Sequence, residues 1–216
     1  MNKLNYVIYS PGRTGSVAIA TAVSSWLHDR HIVIETDYTI VNTNINFASG
    51  LVFHTHSTSS LDSVTDKSKW VAIISRRRND FDGIIGALVA KYTQEYTDVG
   101  PNSYSKKKIE PTIFEKADFF DYYRHRKDFY KILNLNEYDK VIDIYLEDMI
   151  MNSYYLLETL GFGHQEITYK QDKNPRKSVD LVMNIEELKQ YWIELESTDK
   201  HWVNLSIFPD GKVITK

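Results

Sequence analysis

The sequence predicts an α/β fold in which a parallel β-sheet forms the middle of three layers, with helices on both of its faces. Short apolar runs with strand character alternate along the chain with longer segments of helical periodicity. This alternation is typical of parallel strands joined by right-handed helical crossovers. The length of 216 residues suits one large domain with a sizeable core. We therefore expect a single domain over residues 1–216.

Several strands and two helices are expected in the N-terminal half of the chain, up to residue 96. Residues 4–9 (LNYVIY) form a short apolar run, the segment SPGRTGS interrupts it, and helical spacing begins at Val17. Further strands are expected at 31–35, 51–55 and 70–75, and a further helix at 81–96.

The C-terminal half continues the alternation. Residues 98–111 are charged, rich in turn formers and without periodicity, so we expect an exposed loop there. Gly161 has the position of a glycine that ends a helix. The chain from His201 onward predicts a terminal hairpin around Pro209-Asp210-Gly211. Between these segments, helices are expected at 112–133 and 148–160 and a strand at 140–145.

Composition and charge argue against several classes of protein. A net charge of -3 is unusual for a dedicated nucleic-acid binder, because such domains carry a basic excess that neutralises phosphates. The chain has no long apolar run and no visible signal peptide, so we expect no membrane span and a cytoplasmic location. It contains no cysteine, which excludes disulfides, thiolate metal ligands and cysteine nucleophiles.

The segment between the first expected strand and the first expected helix has the composition of an anion-binding loop. Its glycines allow backbone N–H groups to converge on an oxyanion, the following helix contributes the positive end of its dipole, and Arg13 adds a cation. A nucleoside-triphosphatase loop would end in Gly-Lys-Ser/Thr, but no lysine is present here. The alternative is a loop whose glycines only form a turn. The binding residues expected in this segment are Pro11, Gly12, Arg13, Thr14, Gly15, Ser16 and Val17.

Three consecutive arginines follow the expected strand at 70–75. Side chains alternate along a strand, so Arg76 and Arg78 point to the same side if the strand continues that far. One or two of the three can then contact an anion while another is solvated or paired. The alternative is a solvated charged face, because blocks of like charge often have no specific partner.

Four stretches of the chain, in order, match the motifs of one enzyme family. The loop Arg13-Thr14-Gly15-Ser16 has the Lys/Arg-Ser/Thr-Gly-Thr/Ser form of its first motif, and Phe53-His54-Thr55-His56 is similar to a Lys-Thr-His segment. The RRRND segment at 76–80 and the segment from Tyr145 to Gly161, with its Tyr-Leu-Glu-Asp start and Leu-Gly end, complete the set. The chain thereby resembles the sulfotransferase family over most of its length.

This resemblance implies a P-loop NTPase-like sulfotransferase fold and a nucleotide donor. The donor would be 3′-phosphoadenosine 5′-phosphosulfate (PAPS), which gives its sulfuryl group to a hydroxyl or amine and leaves as adenosine 3′,5′-bisphosphate (PAP), without a metal. The loop at 11–17 would hold the 5′-phosphosulfate, and the arginines at 76–78, chiefly Arg76 and Arg78, would hold the 3′-phosphate.

The expected general base is His56, because a histidine near its unperturbed pKa of about 6.5 removes protons effectively at neutral pH. His54 would occupy the position of the family's lysine beside the leaving group. Glu35 is the rival base, since some members of the family have a glutamate after the second strand. Two histidines two residues apart can also begin a metal site, but no third ligand has convincing spacing.

One departure from the family pattern concerns the 3′-phosphate. The family has a serine about one turn into the helix after the arginines, and residues 84–86 contain no hydroxyl. A late basic loop with Arg176 and Lys177 could compensate. The alternatives to an active sulfotransferase are therefore an inactive PAP-binding module and, because the loop lysine is absent, less favourably a P-loop kinase.

The acceptor is not defined by the sequence. The expected loop at 98–111, with Tyr104 and a basic run at 106–108, would form one wall of the acceptor pocket, because loops on α/β scaffolds carry specificity. A small molecule, a carbohydrate or a lipid is expected as the partner. Neither the identity of that acceptor nor the oligomeric state follows from the residues.

Overall fold

The structure, a computed structural model, describes residues 4–26, 32–34, 52–58, 66–93, 110–164 and 178–198, with the backbone alone for 32–34. Strands and helices alternate through these segments, as the sequence predicts. The helices are α1 (Ser16–Trp26), α2 (Asp80–Thr93), α3 (Lys116–Ile132), α4 (Leu146–Met151), α5 (Tyr155–Leu160) and α6 (Ile185–Thr198), with short 3-10 turns at Lys67–Lys69 and Ser178–Leu181.

A parallel β-sheet forms the centre of the fold. Within the described residues it has five strands in the order β2-β3-β1-β4-β5, and every neighbouring pair is parallel. Val7 on the central strand aligns with Phe53 on one neighbour and with Ala72 on the other. The α/β class with a parallel sheet is thereby confirmed. The strands are β1 (Asn5–Tyr9), β2 (Ile32–Ile34), β3 (Val52–Thr55), β4 (Trp70–Arg76) and β5 (Lys140–Tyr145).

Helices cover both faces of this sheet. All five residues of β1 are buried, which is the burial expected for a strand with helices on either side. Side chains alternate along the strand, so Ile8 packs with Ile19 and Val23 of α1 and with residues of α4 and α5. On the opposite face Val7 packs with Phe129 of α3.

The order of the strands creates a switch point between β1 and β4. The chain leaves β1 toward β2 and β3 on one side of the sheet, and it leaves β4 toward β5 on the other. Ligands of open parallel sheets bind outside the carboxyl ends of the strands at such a point. The loop at 10–15, which follows β1, and the end of β4 lie there.

Contacts within the chain divide it into two compact units, Met1–Arg77 with Arg126–Gln171, and Arg78–His125 with Asp172–Lys216. The first unit contains the sheet. The described part of the second unit has its own core, and the expectation of one domain stays a prediction. That core is built mainly on Phe81, Ile84, Leu88, Phe119 and Leu188.

Two differences from the expected elements concern helices. The single helix predicted at 148–160 is two helices, because Asn152 ends α4 and its side-chain Oδ1 accepts a hydrogen bond from the Tyr154 amide at 2.9 Å. The sequence reading also missed α6. Its signal is the apolar spacing of Ile185, Leu188 and Trp192, together with the two acidic residues of the first turn, Glu186 and Glu187.

Some expected elements lie outside the described residues. These are the terminal hairpin around Pro209-Asp210-Gly211 and most of the loop at 98–111. In the parts of the chain that the structure describes, none of the helices has the length and apolar character needed to cross a membrane.

Gly161 ends α5 in the predicted way. It has a φ of 77°, the Gly161 amide donates to the Glu158 carbonyl at 3.0 Å, and the Phe162 amide donates to the Leu157 carbonyl at 2.8 Å. This pair of hydrogen bonds is a Schellman motif. The left-handed backbone at this position favours glycine.

We expect Gly161→Ala to lower the free energy of unfolding by about 1 kcal/mol through the left-handed backbone alone. A Cβ at this position would meet nothing within 4 Å, so no steric clash contributes. Urea unfolding followed by circular dichroism measures the change. Gly161→Asn is the matched control and should lose less, because asparagine tolerates this conformation; equal losses for the two variants would contradict the explanation.

Candidate functional site

The loop between β1 and α1 has an unusual backbone. Gly12 and Gly15 have φ values of 86° and 80°, and Arg13 has a φ of 55° although it is not a glycine. A non-glycine residue in this region costs about 1–3 kcal/mol and persists only where its surroundings enforce it. Such residues cluster at ligand sites. The conformation of Arg13 therefore marks the loop as a candidate site.

A buried chain of hydroxyl groups fixes the loop to β4. Ser10 Oγ lies 2.8 Å from Thr14 Oγ1, and Ser75 Oγ lies 2.7 Å from Thr14 Oγ1 and 2.9 Å from the Thr14 carbonyl oxygen. Ser75 is the donor in both of its contacts, so its proton is shared between the hydroxyl and the carbonyl oxygen of Thr14. The Gly12 amide starts the chain by donating to Ser10 Oγ at 3.0 Å. Ser10, Thr14 and Ser75 are all buried, so these contacts hold the loop against β4.

Two arginines donate to carbonyl oxygens of the same loop. Arg126 of α3 donates to the Gly12 carbonyl at 2.9 Å, and Arg77 donates to the Arg13 carbonyl at 3.4 Å. These contacts direct the carbonyl oxygens toward cations of the protein. The loop therefore presents its N–H groups, rather than its oxygens, to a ligand.

The amides at the end of the loop are available to an anion. In the described part of the chain, no hydrogen-bond acceptor contacts the amides of Thr14, Gly15 and Ser16, and the first bond of α1 runs from the Ile19 amide to the Gly15 carbonyl at 3.2 Å. Unpaired amides and the positive end of the helix dipole favour an oxyanion at this position. The three amides are therefore candidate donors to an anion.

Gly15 is required at this position for two reasons. Its φ is positive, and a Cβ there would come within 2.5 Å of Leu146 Cδ1 on α4. The first residue of α4 therefore packs directly on the loop. Of the other predicted loop residues, Pro11 is half-buried, Ser16 is buried at the start of α1, and Val17 is exposed.

Arg126 is a functional candidate that the sequence reading missed. It is only 2% exposed, and a guanidinium keeps its charge at any pH relevant to proteins. The available signal was its position on the apolar face of α3, where it follows Phe119 and Tyr123 and precedes Phe129 at helical spacing. Arginine is rarely fully buried, so an arginine on a buried helix face indicates a specific partner.

The structure separates the three consecutive arginines. Arg76 ends β4, forms an ion pair with Asp143 of β5, and lies over the Tyr130 ring at 4.4 Å from its centroid. Arg78 is exposed and belongs to the second unit. Because β4 ends at Arg76, strand alternation does not place the side chains of Arg76 and Arg78 on the same side of the sheet. Arg77 is the arginine that contacts the loop.

His56 lies beside the loop in a defined orientation. Its Nδ1 is 2.6 Å from the Ser10 carbonyl oxygen, and because a carbonyl only accepts, Nδ1 carries the proton. In the neutral ring, Nε2 then holds the lone pair and can accept a proton. The ring also adjoins Gly12, where a Cβ would lie 4.0 Å from His56 Cε1.

His54 is buried beneath His56. Its side chain is 1% exposed, and the two rings form an edge-to-face pair with centroids 4.8 Å apart. Burial, with a contribution from the neighbouring His56, lowers the pKa of His54 from 6.5 to about 4. A neutral imidazole supplies no positive charge, so this placement gives no support to the lysine-like role expected for His54. In the described residues, no group of three potential metal ligands includes the pair.

Three of the predicted site residues, Glu35, Arg176 and Lys177, lie outside the described residues. At the position of the missing serine, Ile84, Ile85 and Gly86 are buried on α2. They belong to the hydrophobic side of the helix within the second unit and present no polar side chain.

The second unit has a cavity of about 250 Å³. Of its polar lining groups, Asn79 accepts from the Asp82 amide at 3.2 Å and Lys189 pairs with Glu186 at 2.6 Å, whereas the buried Nε1 of Trp192 has no hydrogen-bond partner in the described residues. The cavity is lined by Asn79, Phe81, Asp82, Lys189, Trp192 and Ile193.

Comparison of the chain with protein-family models, with curated proteins and with solved structures gives no match.

We expect Thr14→Val to lower the free energy of unfolding by about 2–3 kcal/mol, because it removes the hydroxyl that hydrogen-bonds to both buried hydroxyls, those of Ser10 and Ser75. The matched control is Thr14→Ser, which keeps the hydroxyl and removes one methyl group, at a cost of about 1 kcal/mol. Chemical unfolding at pH 7 measures both. Equal losses would show that the hydroxyl chain is not what holds the loop.

We expect the stability of the protein to fall as the pH drops from about 6.5 to about 4 because of His54. Its folded-state pKa of about 4 lies below the unfolded value, so the unfolded chain takes up the proton first and gains stability relative to the fold. The contribution of His54 between pH 7 and pH 5 is about 2 kcal/mol.

Unfolding free energies of the wild type and of His54→Gln at several pH values measure this contribution. The variant should show a smaller slope than the wild type over this pH range. An unchanged slope in His54→Gln would contradict the assignment.

Proposed function

We propose that the protein is a sulfotransferase that moves the sulfuryl group of PAPS to an acceptor hydroxyl or amine. The observation that carries the proposal is the loop at the β1–β4 switch point, whose amides at Thr14, Gly15 and Ser16 have no acceptor within the described residues. The four ordered sequence motifs support the choice of a phosphosulfate rather than another anion.

The loop fits the 5′-phosphosulfate of the donor. The amides of Thr14, Gly15 and Ser16 would donate to its oxygens, and the first turn of α1 would add about 0.3–1 kcal/mol through the helix dipole. Charge-assisted hydrogen bonds from an arginine are stronger than that contribution. Arg13, exposed at the tip of the loop, is the predicted cation.

His56 is the proposed general base. With Nδ1 donating to the Ser10 carbonyl, Nε2 is the atom that would take the proton of the acceptor. The acceptor oxygen or nitrogen forms a bond to sulfur while the bond between sulfur and the bridging phosphate oxygen breaks, and PAP leaves with that electron pair. Glu35 remains the alternative base from the sequence.

The 3′-phosphate contacts are proposed from the sequence. They are Arg76, Arg78, Arg176 and Lys177, and Arg76 would share its guanidinium with Asp143 and Tyr130. The acceptor stays a prediction as well, and a small molecule, a carbohydrate or a lipid is proposed for it.

A second candidate function is an inactive module that binds PAP without transfer. Its support is the buried apolar surface at Ile84 and Ile85, where the family pattern would have a hydroxyl for the 3′-phosphate. Both candidates bind PAP, so turnover separates them. Incubation with ³⁵S-labelled PAPS and a panel of phenols, sugars and lipids tests for transfer, and calorimetry with PAP tests for binding.

If PAP binds and no acceptor is sulfated, the binding module is the better description. If PAP does not bind at moderate ionic strength, both candidates are rejected. If ATP with magnesium binds more tightly than PAP, a phosphoryl-transfer function replaces them.

We expect His56→Ala to lower the rate of transfer by about 10²–10⁴-fold, because general base catalysis contributes that much. Its affinity for PAP should change little, provided that the loop keeps its conformation. Initial rates with an acceptor that the wild type sulfates measure the transfer, and calorimetry with PAP on the same preparation measures the affinity. An unchanged rate would remove His56 from the mechanism, and Glu35→Gln would then be the next variant to measure.

A further inference from the structure

Arg77 has an incompletely paired guanidinium. Its side chain is 21% exposed, and its buried Nε has no hydrogen-bond acceptor in the described structure. Its ion pair with Glu147 of α4 joins Nε and Oε1 at 3.5 Å, and its contact with the Arg13 carbonyl is 3.4 Å long. Both contacts are longer than an ordinary charge-assisted hydrogen bond. Buried donors without an acceptor are rare in folded proteins, and an oxygen of a bound anion would satisfy this one.

The loop amides lie next to this guanidinium. Arg77 reaches the carbonyl of Arg13, one residue before the amides of Thr14, Gly15 and Ser16. Leu146, the neighbour of Glu147 in sequence, packs on Gly15. The loop therefore combines two independent observations: three amides without an acceptor in the described residues, and a contact with an arginine whose own bonds are long.

We propose that Arg77 completes the oxyanion site of the loop and that Glu147 competes with the bound anion for it. A tetrahedral oxyanion of the phosphate or sulfate class offers several acceptor oxygens to the planar guanidinium fork. Glu147 holds Arg77 loosely when no anion is bound. On binding, the anion replaces Glu147 as the main partner of Arg77.

The carboxylate of Glu147 determines whether a substitution raises or lowers the affinity for the anion. Glu147 brings a negative charge next to an anion site, and it also neutralises the cation that the anion needs. Removal of its charge should therefore strengthen anion binding, whereas removal of Arg77 should weaken it. A carboxylate that only oriented Arg77 for the ligand would have the opposite effect when replaced.

The inference deepens the proposed function, on which it rests for the identity of the natural anion. Inorganic pyrophosphate serves as the probe, because it tests the loop without the adenosine or the 3′-phosphate. Calorimetry of the full chain at moderate ionic strength would compare the wild type with Arg77→Met, Arg77→Lys and Glu147→Gln. The control variant is Arg124→Met, an exposed arginine on α3 that takes no part in the site.

We expect Arg77→Met to weaken pyrophosphate binding by at least tenfold and Arg77→Lys to weaken it less, because lysine keeps the charge and loses the fork. Glu147→Gln should tighten binding severalfold, and Arg124→Met should leave it unchanged. Thermal unfolding of each variant confirms that it is folded. Glu147→Gln keeps the contact between Arg77 and the loop, so the proposal can be judged even if Arg77→Met unfolds.

Wild-type affinity in Arg77→Met, or weaker binding in Glu147→Gln, would overturn the inference. A parallel titration with PAP distinguishes this failure from failure of the proposed function. If PAP binds and its affinity is indifferent to Arg77 and Glu147, the inference alone fails. If pyrophosphate binding depends on Arg77 and Glu147 as expected while PAP does not bind, the oxyanion site stands and the sulfotransferase proposal fails.

Discussion

The hydroxyl of Thr14 holds the candidate site together. It links Ser10 at the end of β1 with Ser75 on β4, at distances of 2.8 and 2.7 Å, and so closes the loop onto the two strands that flank the switch point. A loop with left-handed backbone at Gly12, Arg13 and Gly15 stores strain, and strain persists only where neighbouring contacts over-determine the conformation. The orientation of the loop amides, and hence any anion site, depends on this buried connection.

Two arginines support the same loop through its carbonyl oxygens. Arg126 and Arg77 bind the carbonyls of Gly12 and Arg13, so positive charge is fixed next to the site before any ligand arrives. Pre-organised charge of this kind favours an anion without the cost of rearranging side chains. A buried arginine is expensive to desolvate, and its presence beneath a strained loop is easier to understand in a binding site than in a structural core.

The two histidines at the end of β3, His54 on the strand and His56 just after it, differ because their surroundings differ. Burial keeps His54 neutral, with a pKa of about 4, whereas His56 is half-buried and donates its Nδ1 proton to the Ser10 carbonyl. The loop thus fixes the tautomer of the histidine beside it, which leaves Nε2 as the proton acceptor. The Ser10 carbonyl thus connects the proposed base to the proposed anion-binding loop, and this connection supports the proposal of a group-transfer reaction better than either feature does alone.

The sequence by itself determined the alternation of strands and helices, the glycine-dependent loop and the glycine stop at Gly161, because periodicity, backbone freedom and capping are local properties. It did not determine which arginine serves the site. Asp143 of β5 engages Arg76, the end of β4 separates Arg78 from the strand, and Arg126 arrives from 114 residues away. The sequence also did not determine that His54 is buried. These outcomes follow from pairing between distant segments, which only the folded chain brings together.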